Sequence, residues 1–261
     1  MSSEHEVFEN VQARDSFEVA GHRAVLSSWL AVGRQSVFRR LTRDRAALVG
    51  LIIILLLVTL ALAAPLLAPH DPATQHPYER LASPNFTFPL GTDNLGRCLL
   101  SRLLYGSRLS LASAGAASLL VLLIGVGVGA VAGYVGGWVD IALMRVVDLL
   151  LAFPLLVLAL AITGFIGIGM SSVLVGVVSV WWASYARIVR GLVLSLRERP
   201  FIEAAQAMGV TPARIVIRHV IPNVMPPVIV LATLEMGSLI LAISGLNFLG
   251  LGVQPPTPEW G

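Results

Sequence analysis

The 261-residue sequence contains no lysine, since all 18 basic residues are arginine. A chain without lysine cannot supply the lysine of a phosphate-binding P-loop or form a Schiff base with a carbonyl substrate. Any ATP chemistry that drives this protein must therefore come from another subunit. Cysteine occurs once, as Cys98, which excludes an internal disulfide framework and leaves no cysteine cluster for zinc.

Charged residues are also scarce. They make up 13% of the chain, whereas about a quarter of the residues of a soluble domain are charged. The chain is 56% hydrophobic and has a mean hydropathy of +0.82, so we predict an all-α polytopic membrane protein. The net charge of +3 does not indicate a nucleic-acid partner, because the arginines lie beside apolar runs, as is ordinary in membrane proteins.

Apolar runs that reach the roughly 20 residues needed to cross a bilayer as a helix divide the chain. They predict spans over about 46–68, 109–133, 141–163, 172–194 and 224–246. The first run, 46–69, follows a polar N-terminal segment, 1–45, in which residues 24–41 fit an interfacial helix and a partly disordered basic tail equally well. A polar, proline-containing loop, 70–108, separates the first two spans, and residues 109–261 form the remaining core.

The arginines predict the orientation. Placing the N-terminus inside puts fourteen arginines on the cytoplasmic side and leaves four (80, 97, 102 and 108) outside, and the reverse orientation inverts these counts. Because cytoplasmic segments carry the excess of arginine, we predict a cytoplasmic N-terminus, an extracytoplasmic loop at 70–108 and a cytoplasmic loop at 187–222.

A row of glycines lies along the second span. Gly125, Gly129, Gly133 and Gly137 are each four residues apart, and Gly127 lies between two of them. Glycines on one face of a helix allow another backbone to approach closely. The row therefore predicts either packing inside this chain or a contact with another subunit, and packing inside the chain is favoured.

The loop between the fourth and fifth predicted spans reads as two short helices. Phe201 to Met208 forms the first, and Gly209 follows at the position where a left-handed residue ends a helix. Thr211 is a good N-cap for the second, which begins with Pro212. We expect Pro222 to end this second helix before the last span.

The residues of this loop, 199–222, resemble the EAA loop of ABC importer permeases. Glu203-Ala204-Ala205, Gly209 and Pro222 match that pattern, whereas His219 and Ile221 stand where the general pattern has Ile and Leu. The resemblance implies that these five matching residues couple the chain to an ATP-binding subunit, because the short helix of the family docks into a cleft on that subunit.

Other segments narrow the resemblance to permeases of the dipeptide, oligopeptide and nickel type, in their second-permease subfamily. The similar segments are Leu90 to Arg97 with its continuation to Ser110, Met144-Arg145 with Asp148 and Pro154, Tyr185 to Arg190, and the tail from Gly245 to Gly261. Cys98 stands where relatives usually carry Asp, so no role of that acid carries over. The family has six spans as a type I importer permease, and this chain matches five and then looks truncated.

The resemblance implies several partners: a homologous permease, two ATP-binding subunits, an extracytoplasmic substrate-binding protein and membrane lipid. It implies no cofactor, and no enzymatic activity of this chain itself. A secondary transporter is the alternative, but that class predicts inverted repeats and several buried ionisable residues, and one firm intramembrane acid, Glu235, is present. A membrane enzyme would need a convergent catalytic set, which we do not find in the sequence.

Glu235 lies near the middle of the last predicted span, where an acid is costly unless it faces a cavity or a partner. It fits two interpretations equally: a residue of the translocation path that attracts cationic cargo, or a structural partner of another polar group. Asp148 and Arg145, three residues apart on one helix, predict a structural ion pair. The histidines are too sparse for a metal site.

Overall fold

The computed structural model describes residues 44–261. The predicted interfacial helix or tail at 24–41, and nearly all of segment 1–45, lie outside these residues. The chain divides into two units, one ending at Leu57 and the other comprising Val58–Gly261. The architecture below is that of the second unit, apart from the first helix, which begins before it.

The described residues form nine α-helices, joined by one 3-10 turn and one π-helical turn, and the prediction of an all-α fold is confirmed. The helices are α1 (Arg45–Leu62), α2 (Ala64–Leu67), α3 (Leu99–Val135), α4 (Gly137–Leu151), α5 (Leu155–Ile166), α6 (Met170–Arg197), α7 (Pro200–Ala207), α8 (Pro212–Ile215) and α9 (Ile221–Phe248); the 3-10 turn is Pro77–Glu79 and the π turn is Val216–Val220.

Four helical segments of the described residues are long and apolar enough to cross a membrane: α1, α3, α6 and the continuous helix Pro212–Phe248. The pair α4 and α5, which is bent by 90°, makes a fifth crossing if it is counted as one span. This agrees with a polytopic chain of five spans.

Helix α3 begins ten residues earlier than the sequence predicts, at Leu99 instead of 109. Its 37 residues make a helix of roughly 55 Å, which exceeds the hydrocarbon thickness of about 30 Å. The first turns are therefore polar helix outside the apolar run, and the expected loop at 70–108 becomes helical from Leu99 onward.

The third predicted span, 141–163, is wrong as a single helix. The chain breaks between Leu151 and Leu155, and Pro154 is the N-cap of α5. A proline lacks an N–H and crowds the carbonyl four residues before it, and it also disfavours helical backbone at the preceding residue, Phe153. The bend therefore follows from Pro154.

Pro222 does not end a helix, contrary to the prediction. It is the second residue of α9, and α8, the π turn and α9 run on as one helix. Within the π turn the Ile221 N–H donates to the carbonyl of Val216, five residues back. This wider turn leaves room for a proline where an ordinary α-turn would be crowded.

The glycine row packs inside the chain, as favoured. A Cβ on Gly125 would lie 2.5 Å from Tyr185 Cβ, one on Gly129 2.7 Å from Val189 Cβ, and one on Gly133 2.8 Å from Val193 Cβ. The contacts advance in the same order on both helices, so α3 and α6 run parallel with their backbones in close approach. Gly127 and Gly137 have open space at that position and take no part in this contact.

Two ion pairs join α4 to α6. Arg190 donates from Nε and Nη2 to the two carboxylate oxygens of Asp140, at 2.5 and 2.6 Å, and Arg187 Nη2 lies 2.5 Å from Asp148 Oδ1. The predicted pair of Asp148 with Arg145 is therefore wrong. Asp148 reaches across to α6, and Arg145 forms no ion pair within residues 44–261. Two of the segments that carry the family resemblance thus contact one another.

Candidate functional site

The elbow, defined as residues 199–222, is built on a tightly closed short helix. At the end of α7 the Gly209 N–H donates to the Gln206 carbonyl at 2.9 Å, and the Val210 N–H donates to the Ala205 carbonyl at 3.1 Å. These two bonds are those of a Schellman motif, which needs a left-handed residue just past the C-cap. Gly209 supplies it with a φ of +73°, as the sequence predicts.

Helix α7 has one buried edge and a larger exposed surface. Ile202 is fully buried and Ala205 is 4% exposed, so these two side chains hold the helix against the rest of the elbow and the end of α6. Phe201 and Met208, by contrast, are 44% and 76% exposed. An apolar exposed surface on a rigidly held helix is typical of a site that a protein partner covers.

The structure distributes the five predicted coupling residues unevenly. Glu203 and Ala204 lie on the exposed surface of α7, and Ala205 lies on its buried edge. Gly209 closes the helix, and Pro222 is exposed near the start of α9. The five residues therefore differ in structural position: some form the exposed surface of the elbow, Ala205 anchors α7, and Gly209 sets the backbone shape at its end.

A groove of 890 Å³ separates the elbow from the ends of α3 and α6. Glu203 and Gln206 of α7 line one wall, and Tyr134 and Arg197 line the other. Gln206 Nε2 donates to the Tyr134 hydroxyl at 3.4 Å, and Arg197 Nη1 donates to the Tyr134 carbonyl at 3.3 Å. Tyr134 therefore ties the last turn of α3 to both α6 and α7.

No sequence pattern predicts this role of Tyr134 or of its partners. Tyr134 directly follows Gly133, the last glycine of the row that contacts α6. The parallel packing of α3 on α6 brings Tyr134 and Arg197 to the same end of the bundle. Tyr134 and Arg197 lie together because α3 and α6 run parallel, and hydropathy does not predict the relative direction of two packed helices.

The opposite end of α3 holds the long loop and the C-terminal tail. Trp260 Nε1 donates to the Leu103 carbonyl at 3.1 Å, and the Trp260 N–H donates to Ser110 Oγ at 3.2 Å. At the start of α6 the Gly169 N–H donates to the Leu251 carbonyl at 2.9 Å. The tail and the elbow therefore lie at opposite ends of the parallel pair α3 and α6.

Asp93 organises the turn that leads into α3. Its carboxylate accepts hydrogen bonds from the N–H groups of Leu95 and Arg97, both at 2.9 Å, and from Arg97 Nε at 2.7 Å. Burial alone would raise the pKa of Asp93, but these hydrogen bonds outweigh burial and lower the pKa below its ordinary value. Cys98, a free and buried thiol, closes the same turn by pairing with Thr92.

Glu235 faces the interior of the bundle. It is half-buried on α9 and interacts with the hydroxyl of Tyr185 on α6. The Tyr185 side chain is 1% exposed, and its hydroxyl has no hydrogen-bond partner within residues 44–261. Glu235 is therefore close to this hydroxyl without forming a hydrogen bond of good geometry with it. Gly125 makes room for Tyr185, so Tyr185 contacts α3 and is close to the acid on α9.

Comparison with known protein families decides the class. Residues 125–261 match the model of the binding-protein-dependent transport system inner membrane component. Residues 34–84 match the N-terminal transmembrane domain of oligopeptide transport permease C. The chain belongs to the family of binding-protein-dependent transport permeases. The alternative of a secondary transporter is thereby excluded.

Individual relatives agree with the family. The permease is 41% identical to the dipeptide transport system permease protein DppC of Alkalihalophilus pseudofirmus, over 87% of this chain and 75% of that protein. It is 44% identical to the nickel transport system permease protein NikC of Escherichia coli strain K12, over 81% of this chain and 76% of that protein. It is 41% identical to the glutathione transport system permease protein GsiD of Pectobacterium atrosepticum, over 86% of this chain and 75% of that protein.

The permease is therefore a multi-pass inner-membrane subunit of an ABC importer. Its relatives are named as permease proteins of transport systems. The described residues contain no cluster of three or more side chains suited to a metal ion.

Proposed function

We propose that the permease imports dipeptides, oligopeptides or nickel across the inner membrane. It would work with a homologous permease, two ATP-binding subunits and an extracytoplasmic substrate-binding protein. The relatives named for dipeptide, nickel and glutathione transport support this range of cargo. Movement of the ATP-binding subunits reaches the spans through the elbow.

The observation that carries this proposal is the mechanical connection of the elbow. Helix α7 is held on its buried edge by Ile202 and Ala205, closed by Gly209, and tied through Gln206 to Tyr134 at the end of α3. A partner that covers the exposed surface of α7 and displaces it would therefore also displace the end of α3. Because α3 packs tightly on α6, the two spans would move together.

The function is tested by uptake into sealed vesicles. The permease is co-purified with the products of its neighbouring transport genes and reconstituted into these vesicles. The vesicles should accumulate cargo only when ATP is inside them and the binding protein is outside. A matched complex without the permease should accumulate none. Uptake driven by an ion gradient without ATP would contradict the proposal.

The orientation of the permease is a further part of this proposal. The arginine distribution supports a cytoplasmic N-terminus, and the elbow and the loop at 70–98 lie at opposite ends of α3. A single introduced cysteine at Thr87 should therefore react with an impermeant thiol reagent in intact cells, and one at Arg214 should react only after lysis. Both positions are exposed.

The native thiol does not interfere with this experiment, because Cys98 is fully buried, and a Cys98→Ser background removes it altogether. Labelling at position 214 from outside, with protection at position 87, would invert the proposed topology.

Glu235→Gln separates the two interpretations of the intramembrane acid. If Glu235 lines the translocation path, removal of its charge should reduce uptake of nickel or basic peptides more than uptake of neutral peptides. If it stabilises the contact around Tyr185, the same variant should reduce the amount of assembled complex for every cargo. Uptake and complex abundance are measured in parallel. Tyr185→Phe is the matched variant, because it changes the residue on α6 that is close to Glu235.

The proximity of Glu235 to Tyr185 makes this comparison sharper. Tyr185→Phe removes the hydroxyl that is close to the acid but keeps the aromatic ring and the Cβ that packs against Gly125. If Glu235 lines the path, Tyr185→Phe should leave the abundance of the complex unchanged. If Glu235 and Tyr185 stabilise the structure together, Tyr185→Phe should reduce that abundance. Normal uptake and abundance in Glu235→Gln would refute both interpretations.

A further inference from the structure

A second groove, of 640 Å³, lies on the flank of the permease at the end of α3 that carries the tail. Its apolar walls come from Val58 and Ala61 of α1 and from Leu109 and Ala112 of α3. Val58 is 42% exposed. Exposed apolar side chains on membrane-crossing helices need an apolar environment, which the acyl region of the bilayer provides.

Three residues that carry hydrogen-bond donors also line this groove. They are Arg108, Tyr105 and Thr257. Tyr105 and Arg108 are three residues apart and share one face of α3, and Thr257 comes from the tail. None of the three donates a hydrogen bond or forms an ion pair within residues 44–261.

Arg108 lies exposed at the border of the apolar run of α3. Residues 109–139 contain no charged side chain, so Arg108 is the last charge before the apolar run of α3. An arginine at this border directs its guanidinium toward the headgroup region, where phosphate oxygens are strong hydrogen-bond acceptors. Within residues 44–261 Asp93 pairs with Arg97, and Glu259 accepts hydrogen bonds from Ser110 and the Gly261 N–H.

We propose that this groove binds one phospholipid molecule of the membrane leaflet at this end of α3. The phosphate accepts hydrogen bonds from Arg108, Tyr105 and Thr257. An acyl chain lies along Leu109, Ala112 and Val58. The donors lie at the headgroup end of the groove and the apolar residues extend from there along α3 into the bilayer, which is the order of polar and apolar groups in a phospholipid.

The bound lipid would join three parts of the permease that are distant in sequence: the end of α1, the start of the apolar run of α3 and the tail. The tail is otherwise held on α3 by Trp260 and by Arg102 Nη1, which donates to the Pro256 carbonyl at 3.4 Å. Thr257 lies between these two attachments. A phosphate bridging Thr257 to Arg108 would complete the docking of the tail.

The test is lipid retention by the detergent-purified permease complex, measured by native mass spectrometry and by lipid extraction. The wild type should retain about one phospholipid per chain through extensive washing. Arg108→Gln should retain about tenfold less or lower, because a charge-assisted hydrogen bond is lost. Arg80→Gln is the matched control, since Arg80 is an exposed arginine of the preceding loop that does not line the groove.

A second variant fills the groove without changing the charge. Ala112→Phe should also lose the lipid, even if Arg108→Gln reduces assembly. Reconstitution with phosphatidylglycerol or with phosphatidylethanolamine distinguishes an anionic headgroup from recognition of the phosphate alone, and either result supports the proposal. Equal retention by wild type, Arg108→Gln and Ala112→Phe would show annular lipid only and overturn it. These readouts do not depend on transport, so they are independent of the proposed coupling role of the elbow.

Discussion

Gly209→Val is expected to leave the permease in the membrane but to uncouple it from ATP hydrolysis. Gly209 has a φ of +73°, a conformation that costs a residue with a Cβ about 1–2 kcal/mol and a β-branched residue more. A Cβ there would meet no atom within 4 Å, so the effect arises from the backbone alone. The variant should open the Schellman motif and release Val210 from the Ala205 carbonyl.

Two measurements detect the loss of coupling in Gly209→Val. Co-purification of the ATP-binding subunits and substrate-stimulated ATPase activity should both decrease severalfold, whereas the amount of permease in the membrane should change little. Gly209 lies outside the membrane-crossing helices α3, α6 and α9, so their packing on one another should change little.

Gly209→Asn is the matched control, because asparagine adopts the left-handed conformation more readily than other residues with a side chain. It adds a side chain of similar size to the same open space. Substantial coupling in Gly209→Asn together with its loss in Gly209→Val would identify backbone shape as the cause. Normal ATPase stimulation and transport in Gly209→Val would contradict the assignment of the elbow as the coupling element.

The sequence predicts features that depend on local rules. Hydropathy locates the apolar part of each span, and the Gly209 cap follows from one residue at one position. The glycine row indicates close helix packing, but its spacing does not say which helix contacts it. The structure assigns that contact to α6, with Gly125, Gly129 and Gly133 taking part and Gly137 outside α3.

The features that sequence reasoning missed depend on tertiary contacts or on helix outside the bilayer. Hydropathy does not predict the first turns of α3, because residues 99–108 are helical but are not apolar enough to cross a membrane. The choice of Arg187 over Arg145 as the partner of Asp148 requires the packing of α4 on α6. Prolines also have position-dependent effects: Pro154 bends the chain, whereas Pro222 is accommodated after a π turn.

The largest effect on stability is expected from Gly129→Val. A Cβ at this position would lie 2.6 Å from the Ala186 carbonyl oxygen and 2.7 Å from Val189 Cβ. Both distances are shorter than real Cβ contacts, so α3 and α6 would have to separate. Overpacking of this kind costs about 1–3 kcal/mol, occasionally more, and here the obstacle includes a backbone oxygen that cannot rotate away.

Gly127→Val is the matched control on the same helix, two residues earlier. Gly127 is exposed, and a Cβ there would meet nothing within 4 Å. We expect the Gly129→Val permease to be severalfold less abundant in the membrane and to unfold at lower temperature, and the Gly127→Val permease to remain close to wild type in both measurements.

A compensating substitution makes the test specific to the contact between α3 and α6. Val189→Ala removes Cγ1, which would lie 3.0 Å from the new Cβ, but leaves Val189 Cβ and the Ala186 carbonyl in place, so it should restore only part of the abundance lost in Gly129→Val. Full restoration would show that the Cγ atoms of Val189 alone limit the approach of the two helices. Equal abundance of the Gly129→Val and Gly127→Val permeases would refute the parallel glycine contact, and with it the connection by which Tyr134 at the end of α3 moves together with α6.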